Sequence, residues 1–364
     1  MADQEINIMD AVKTAWDAEE KKMGRTNILI AGKTGVGKST LINSVFHDNL
    51  ATTGQGRPVT QDIKEITKEG IPVSIFDTRG LEAKEYKETL TKIRQFVHDK
   101  KTSESDESKQ IHAAWVCIME DSRRVEDAEI ELVKMLSEED IPVIAVITKA
   151  RLDDGFEAKV KELLPQVRNV IRVRALEEKF DEGNILPQMN LDKLVELTNE
   201  VLPDGRRNAF IAAQKVSIKK KIERAQGIIA ASAAAAAAAC AIPVPLADSA
   251  MLVPIEIGML AGISKVFGLN LSKGFLGTLV ASMLGTSAAT VAGKTLFSNI
   301  MKCLPGVGSV IGGVVSAATS SALSTTLGEL YVGSLTAVFN ATKGEPPKED
   351  DIEKEFKARL ENKK

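Results

Sequence analysis

Hydrophobic and polar positions follow two regimes along the chain. In the first, short apolar runs at residues 26–31, 73–76, 113–119, 142–147 and 169–173 have the length of buried strands. Between them, residues 39–46 (apolar at 41, 42, 45 and 46), 82–97, 125–136 and 156–164 repeat apolar positions at helical spacing. Residues 63–67 are less apolar and predict an edge strand. Buried strands alternating with amphipathic helices predict an α/β fold, a mainly parallel sheet covered on both faces. A helix is expected ahead of it, over residues 5–23. It carries Ile6, Ile8, Met9, Val12 and Trp16 toward one of the later domains, with Glu19, Glu20, Lys21 and Lys22 at its solvated end. Residues 49–61 read as a mobile polar loop, and 99–110 as a surface insertion.

The second regime begins at about Gly227. From there to Thr342 the charged residues are Asp248, Glu256, Lys265, Lys273, Lys294, Lys302 and Glu329. An alanine-rich helix over 232–241 is stopped by Ile242-Pro243-Val244-Pro245, and 247–267, 274–292, 305–318 and 320–340 are further candidate helices. Small residues recur at helix-packing spacing, Gly308 with Gly312 and Gly274 with Thr278. The run between Lys273 and Lys294 has the length of a bilayer span, ~20 residues, but Thr278, Ser282, Thr286, Ser287 and Thr290 interrupt it. Membrane contact and a soluble small-residue bundle are both open. Residues 191–224 read as helical and charge-rich. Arg206-Arg207 and Lys219-Lys220-Lys221 suit either anionic headgroups or a solvated face. Residues 344–347 read as a linker, and 348–364 as a loose or peripheral charged helix. The expected division is a leading helix (1–23), an α/β domain (24–180), connecting helices (181–226), an all-α small-residue-rich domain (227–342) and a charged tail (343–364).

Charge excludes little but directs attention. Across 364 residues the net charge is −3, which gives no strong case for nucleic acid. Cys117, Cys240 and Cys303 lie far apart, so neither a disulfide framework nor a zinc site is expected. His47, His98 and His112 show no ligand spacing and read as surface or cap residues. The polar, acidic start lacks the regions of a secretory signal. The expected location is cytoplasmic, with peripheral or integral membrane placement open through 227–342.

The chemistry centres on Gly32-Lys33-Thr34-Gly35-Val36-Gly37-Lys38-Ser39, which matches G-x-x-x-x-G-K-[ST]. The glycines let backbone N–H groups curl around phosphate oxygens. Lys38 reaches the β- and γ-phosphates and the Ser39 hydroxyl ligates Mg²⁺. A strand before the loop and a helix after it, through Thr40, place the phosphates at a positive helix end. Thr60 is placed to close over the γ-phosphate and complete the Mg²⁺ shell, with Thr52 and Thr53 as competitors. The strand ending in Asp77-Thr78-Arg79-Gly80 delivers D-x-x-G to the same site: Asp77 to Mg²⁺ through water, the Gly80 N–H to the γ-phosphate.

With these motifs in order, residues 24–176 resemble the Era-like and immunity-related GTPases. The resemblance implies GTP and GDP as ligands, Mg²⁺ as cofactor, Lys38, Thr60 and Gly80 in catalysis, and Thr148-Lys149 and Ala175-Leu176 at the base. Two positions depart from the family. The base-reading motif [NT]-K-x-D ends here in Arg151, which cannot accept hydrogen bonds from guanine N1 and N2; Asp153, Asp154 or stacking by Lys149 are the alternatives. After D-x-x-G stands Leu81, which cannot orient water, so hydrolysis is expected to be slow until another loop, a second copy of the chain or a protein activator contributes. Residues 226–342 resemble, mostly in composition, the YcjF-like helical domain often fused to GTPases and associated with membranes. The implied activity is a GTPase switch coupled to that domain. A soluble switch acting on a protein or ribosomal partner, and a nucleotide-occupancy module with little turnover, stand beside it.

Overall fold

The computed structural model describes residues 8–53, 55–60, 63–78, 80, 86–102, 107–180, 183–240, 248–272, 274–276, 279 and 317–362. They form two compact units: Gly24–Ser217, and Met1–Met23 together with Ile218–Lys364.

The Gly24–Ser217 unit is built on a seven-stranded sheet. In chain order its strands are β1 (Thr26–Ala31), β2 (Gln55–Pro58), β3 (Ile63–Thr67), β4 (Val73–Thr78), β5 (Ala113–Met119), β6 (Val143–Thr148) and β7 (Asn169–Arg172). Their spatial order is β2-β3-β4-β1-β5-β6-β7. The five strands from β4 to β7 run parallel, while β2 and β3 are antiparallel additions. Side chains alternate across the pleat. Ile28 and Ile30 of β1 point into one buried cluster and Leu29 and Ala31 into the other, which is why the central strands read as unbroken apolar runs. On the first face pack α2 (Lys38–Val45), α7 (Leu191–Val201) and α8 (Asp204–Ala213). On the second pack α4 (Tyr86–Thr102), α5 (Asp127–Glu138) and α6 (Phe156–Leu163). Sheet and helices thus form the α/β layering that the sequence pattern predicts.

Several local expectations are corrected in this unit. Residues 49–61 are not an unstructured loop: they hold the short helix α3 (Leu50–Thr53) and strand β2. With β2 paired outside it, β3 is not the sheet edge. α4 continues to Thr102, into the expected surface insertion. His47 and His112 are buried rather than superficial. The His47 ring lies 3.1 Å from the Ala212 carbonyl, and His112 Nδ1 accepts the Asn27 N–H at 2.8 Å. α7 and α8 contribute Leu194, Val195 and Phe210 to the sheet's own core.

The second unit is helical. α1 (Ile8–Met23) contributes Val12 and Trp16 to a core shared with α9 (Ile218–Cys240), α10 (Asp248–Val266), α11 (Ala317–Ala341) and α12 (Glu349–Asn362). The composition change at Gly227 falls inside α9, not at a break between elements. The lysine run divides: Lys219 and Lys220 face Glu223, whereas Lys221 is fully buried, its Nζ 3.4 and 3.3 Å from the Val266 and Phe267 carbonyls at the end of α10. Burial drives its pKa well below the ordinary lysine value, so Lys221 is no part of a basic lipid-facing patch. The tail is also corrected. α12 is docked, with Ile352 and Phe356 buried and Phe356 edge-on to Tyr331. Among the described residues no helix is long and apolar enough to cross a membrane. The Ile242–Pro245 stop, Gly308 with Gly312, Thr278 opposite Gly274, the polar interruptions from Ser282 to Thr290, and most of the 274–292 and 305–318 helices lie outside the described residues.

Candidate functional site

Topology gathers the motifs at one end of the sheet. β1 pairs with β4 through Ile30↔Asp77, so the Gly32–Ser39 loop leaves the sheet beside Asp77. β3 begins at Ile63 opposite Thr78, which brings the Thr60 bend to that end. β6 ends at Thr148 opposite Met119 of β5. Carboxyl ends of parallel strands are where open α/β sheets bind ligands.

The phosphate loop has the backbone its glycines allow. Gly32, Gly35 and Gly37 have φ of 145°, 77° and 104°. A Cβ on Gly32 would meet the Cys117 carbonyl at 2.4 Å, so that glycine is fixed by close packing as well as by φ. Cβ atoms on Gly35 and Gly37 would meet nothing within 4 Å; the loop is open where phosphates need room. Lys38 Nζ donates to the Gly32 and Lys33 carbonyls at 2.9 and 3.3 Å, which poises its charge within the curl. Lys33 pairs with Glu126, just ahead of α5. Val36 is buried, Thr34 and Ser39 are exposed, and Thr40 is half-buried at the start of α2. Beneath the loop, burial pushes the Cys117 thiol up to about 12.

Asp77, expected on the metal side, carries an unsatisfied oxygen. Asp77 Oδ1 is buried with no hydrogen-bond partner. Burial raises the Asp77 pKa, opposed by the charges of Lys38 and Lys64. A buried carboxylate oxygen without a partner is costly unless something outside the protein completes it. A hydrated Mg²⁺ carried by phosphate fits that need, with Ser39 supplying a hydroxyl across the loop. The Thr60 and Val59 N–H groups donate to the Ile63 carbonyl at 3.2 and 2.9 Å, which closes a bend after β2. Gly80 is half-buried beyond β4; Arg79 and Leu81 lie outside the described residues, as does the side chain of Thr53.

The Thr148-Lys149 segment, expected at the base, is tied directly to the glycine loop. Thr148 Oγ1 donates to the Val36 carbonyl at 2.7 Å, and Lys149 Nζ to the Gly35 carbonyl at 2.9 Å. Lys149 adopts φ 54°, which turns the chain out of β6. The Ala175 carbonyl accepts from Ser44 Oγ of α2 at 3.0 Å, and Leu176 is 56% exposed beyond it. Arg151 is exposed. Residues that sequence reasoning missed complete this region. Glu120, at the end of β5, is fully buried and accepts the Arg151 N–H at 2.5 Å and Arg172 Nε at 2.6 Å. Burial alone would raise its pKa, but those hydrogen bonds outweigh it and hold the carboxyl below its ordinary value. Arg174 donates to the Ala150 and Pro187 carbonyls at 2.8 and 2.5 Å. A lone Glu after a strand has no spacing by which to be read; only the fold reveals it.

Residues 27–149 match the family described as 50S ribosome-binding GTPase, and residues 206–360 the one described as Domain of unknown function (DUF697). The chain is 25% identical over 213 residues to GTPase Der of Dinoroseobacter shibae, covering 54% of this chain and 42% of that protein. It is 29% identical over 175 residues to the tRNA modification GTPase MnmE of Clostridioides difficile, covering 46% and 35%. It is 42% identical over 77 residues to the chloroplastic Translocase of chloroplast 101 of Physcomitrium patens, covering 21% and 8%. The matched regions span less than half the length of each of these relatives.

Proposed function

We propose a function for a chain that joins a P-loop GTPase domain to a DUF697 domain: it binds GTP and GDP with Mg²⁺, hydrolyses GTP slowly, and passes its nucleotide state to the helical unit. The observation that carries this reading is the pair of ties from Thr148 to Val36 and from Lys149 to Gly35, which join the base-side and phosphate-side loops into one pocket. Lys38 exchanges its loop carbonyls for phosphate oxygens and stabilises charge on the transferring phosphoryl group. Backbone N–H groups from Lys33 to Thr40 cradle the α- and β-phosphates. Ser39 and Thr60 would hold Mg²⁺, with Asp77 contributing through water. When bound, the metal would supply positive charge to the phosphate oxygens. The Gly80 N–H senses the γ-phosphate, so its loss relaxes the segments around Thr60 and Gly80. Lys149 and Leu176 flank the base, and Ala175 presents its backbone there. Leu81 follows D-x-x-G and has no group to orient water. Turnover therefore depends on a group from a protein activator or a second copy of the chain. Lipid headgroups are the proposed partner of residues 227–342.

Titration calorimetry with GTP and with ATP, each with Mg²⁺, tests the assignment. Preference for GTP, and loss of binding to both triphosphates in Lys38→Ala, are expected. Equal binding of ATP removes the guanine assignment, and retained binding in Lys38→Ala removes the loop assignment.

A further inference from the structure

The pocket lacks a carboxylate at position 151, yet guanine presents two donors, N1–H and the 2-amino group, that call for one. The nearby aspartates are engaged elsewhere. Asp153 accepts the Gly155 N–H at 3.1 Å, and its other oxygen lies 4.0 Å from Arg172. Asp154 pairs with Arg123. Arg151, by contrast, is built into a chain of contacts. Buried Glu120 grips its backbone N–H. Its guanidinium Nε donates at 2.8 Å to Glu178 Oε2. Glu178 sits in the short strand β8 (Glu178–Lys179), two residues beyond Leu176. It therefore belongs to the second base-side segment while being tied to the first.

We propose that Glu178 is the base-reading carboxylate of this pocket, brought to it by Arg151. This rests on the reading of the chain as a guanine-nucleotide binder. A carboxylate offers about four lone-pair sites. The Arg151 bond takes one, and the remaining sites suffice for two donors on one edge of a purine. An ionised carboxylate only accepts hydrogen bonds, which matches the two donors of guanine. Asp121 is the competing carboxylate, but at 3.6 Å from Arg151 it is beyond hydrogen-bond range and held only by charge. A second observation points to a flat ligand here. Leu152, Leu176 and Phe180, at 71%, 56% and 43% exposure, are large apolar side chains left open on the two segments that Arg151 and Glu178 join. The Arg151 guanidinium stands 5.9 Å from the Phe180 ring. Exposed apolar faces beside a fixed carboxylate suit a purine, whose rings need apolar cover and whose edge needs an acceptor. The arrangement makes Arg151 a positioning residue and Glu120 a support for it.

Inosine triphosphate lacks the 2-amino group and is otherwise GTP, so the ratio of the two affinities reads the bond to that group. Calorimetry on the full chain with Mg²⁺ is expected to show GTP preferred over inosine triphosphate by about ten-fold or more, since bonds to charged groups carry that much discrimination. In Glu178→Gln the ratio falls toward one, because GTP loses two bonds to the carboxylate and inosine triphosphate, which keeps N1–H, loses one. Asp121→Asn leaves the ratio at the wild-type value. The double variant Arg151→Asp with Glu178→Gln restores the preference by placing a carboxylate at position 151. A preserved ratio in Glu178→Gln, or an equal loss for both nucleotides, overturns the proposal. A wild type that binds both equally also overturns it but leaves the phosphate-loop reading standing, whereas a wild type that binds neither removes both.

Discussion

At the scale of single residues, a buried carboxyl near the glycine loop makes the Gly24–Ser217 unit sensitive to pH. Glu129 is 4% exposed, and its Oε2 accepts the Glu126 N–H at 2.8 Å in a reciprocal cap at the start of α5. Burial raises its pKa to about 7; the neighbouring Glu126 charge adds to this, while the N–H bond and Lys33 oppose it. The folded state thus holds a proton that the unfolded chain releases near 4.5. The stabilisation is fully present below that value and is lost as pH rises through about 7. Melting followed by circular dichroism from pH 5 to 8 is expected to show falling stability, up to roughly 3 kcal/mol from this group by the linkage relation. Glu129→Gln keeps the cap acceptor and flattens the slope; an unchanged slope assigns the proton elsewhere. Glu129, like Glu120 and Glu178, was not legible in the sequence, because an isolated glutamate has no period or spacing. Asp77 was legible as the start of D-x-x-G near the end of a buried strand, and Thr148 and Lys149 through the family motif that follows another.

At the scale of elements, legibility follows burial. β1, β5 and β6 are covered on both faces, and their continuous apolar runs set their limits within a residue or two. β2 was missed because Gln55-Gly56-Arg57-Pro58 has no apolar pattern; it exists through its hydrogen bonds to β3. α12 was misjudged for the opposite reason. Its sequence is mostly charge, and two anchors four residues apart, Ile352 and Phe356, are enough to seat one face. Phe356 is 1% exposed, against Tyr331. Phe356→Ala should cost the helical unit about 3 kcal/mol, the usual loss for emptying a buried aromatic site. Urea unfolding measures it; a change within about 0.5 kcal/mol, the range of surface substitutions, would return α12 to the status of a loose tail.

At the scale of the molecule, the two units have separate hydrophobic cores, one of Val12, Trp16, Tyr331 and Phe339 with their neighbours, and two sandwiching the sheet. Units with their own cores open separately unless something couples them. Differential scanning calorimetry is therefore expected to resolve two transitions. GTP with Mg²⁺ at about a hundred times its Kd adds about 2.7 kcal/mol to whichever unit binds it. For a domain of this size that is roughly 5 to 10 °C. The unit of Gly24–Ser217 carries the glycine loop and should take the whole direct shift. Coupling adds a distinct requirement. A ligand moves an equilibrium only by its differential affinity for the two states. If nucleotide state reaches the helical core, the second transition must therefore differ between GTP-bound and GDP-bound protein. With a non-hydrolysed GTP analogue to hold the first state, a second midpoint identical in both states and in the nucleotide-free chain would sink the coupled switch and leave a GTPase whose helical unit acts as a passive anchor.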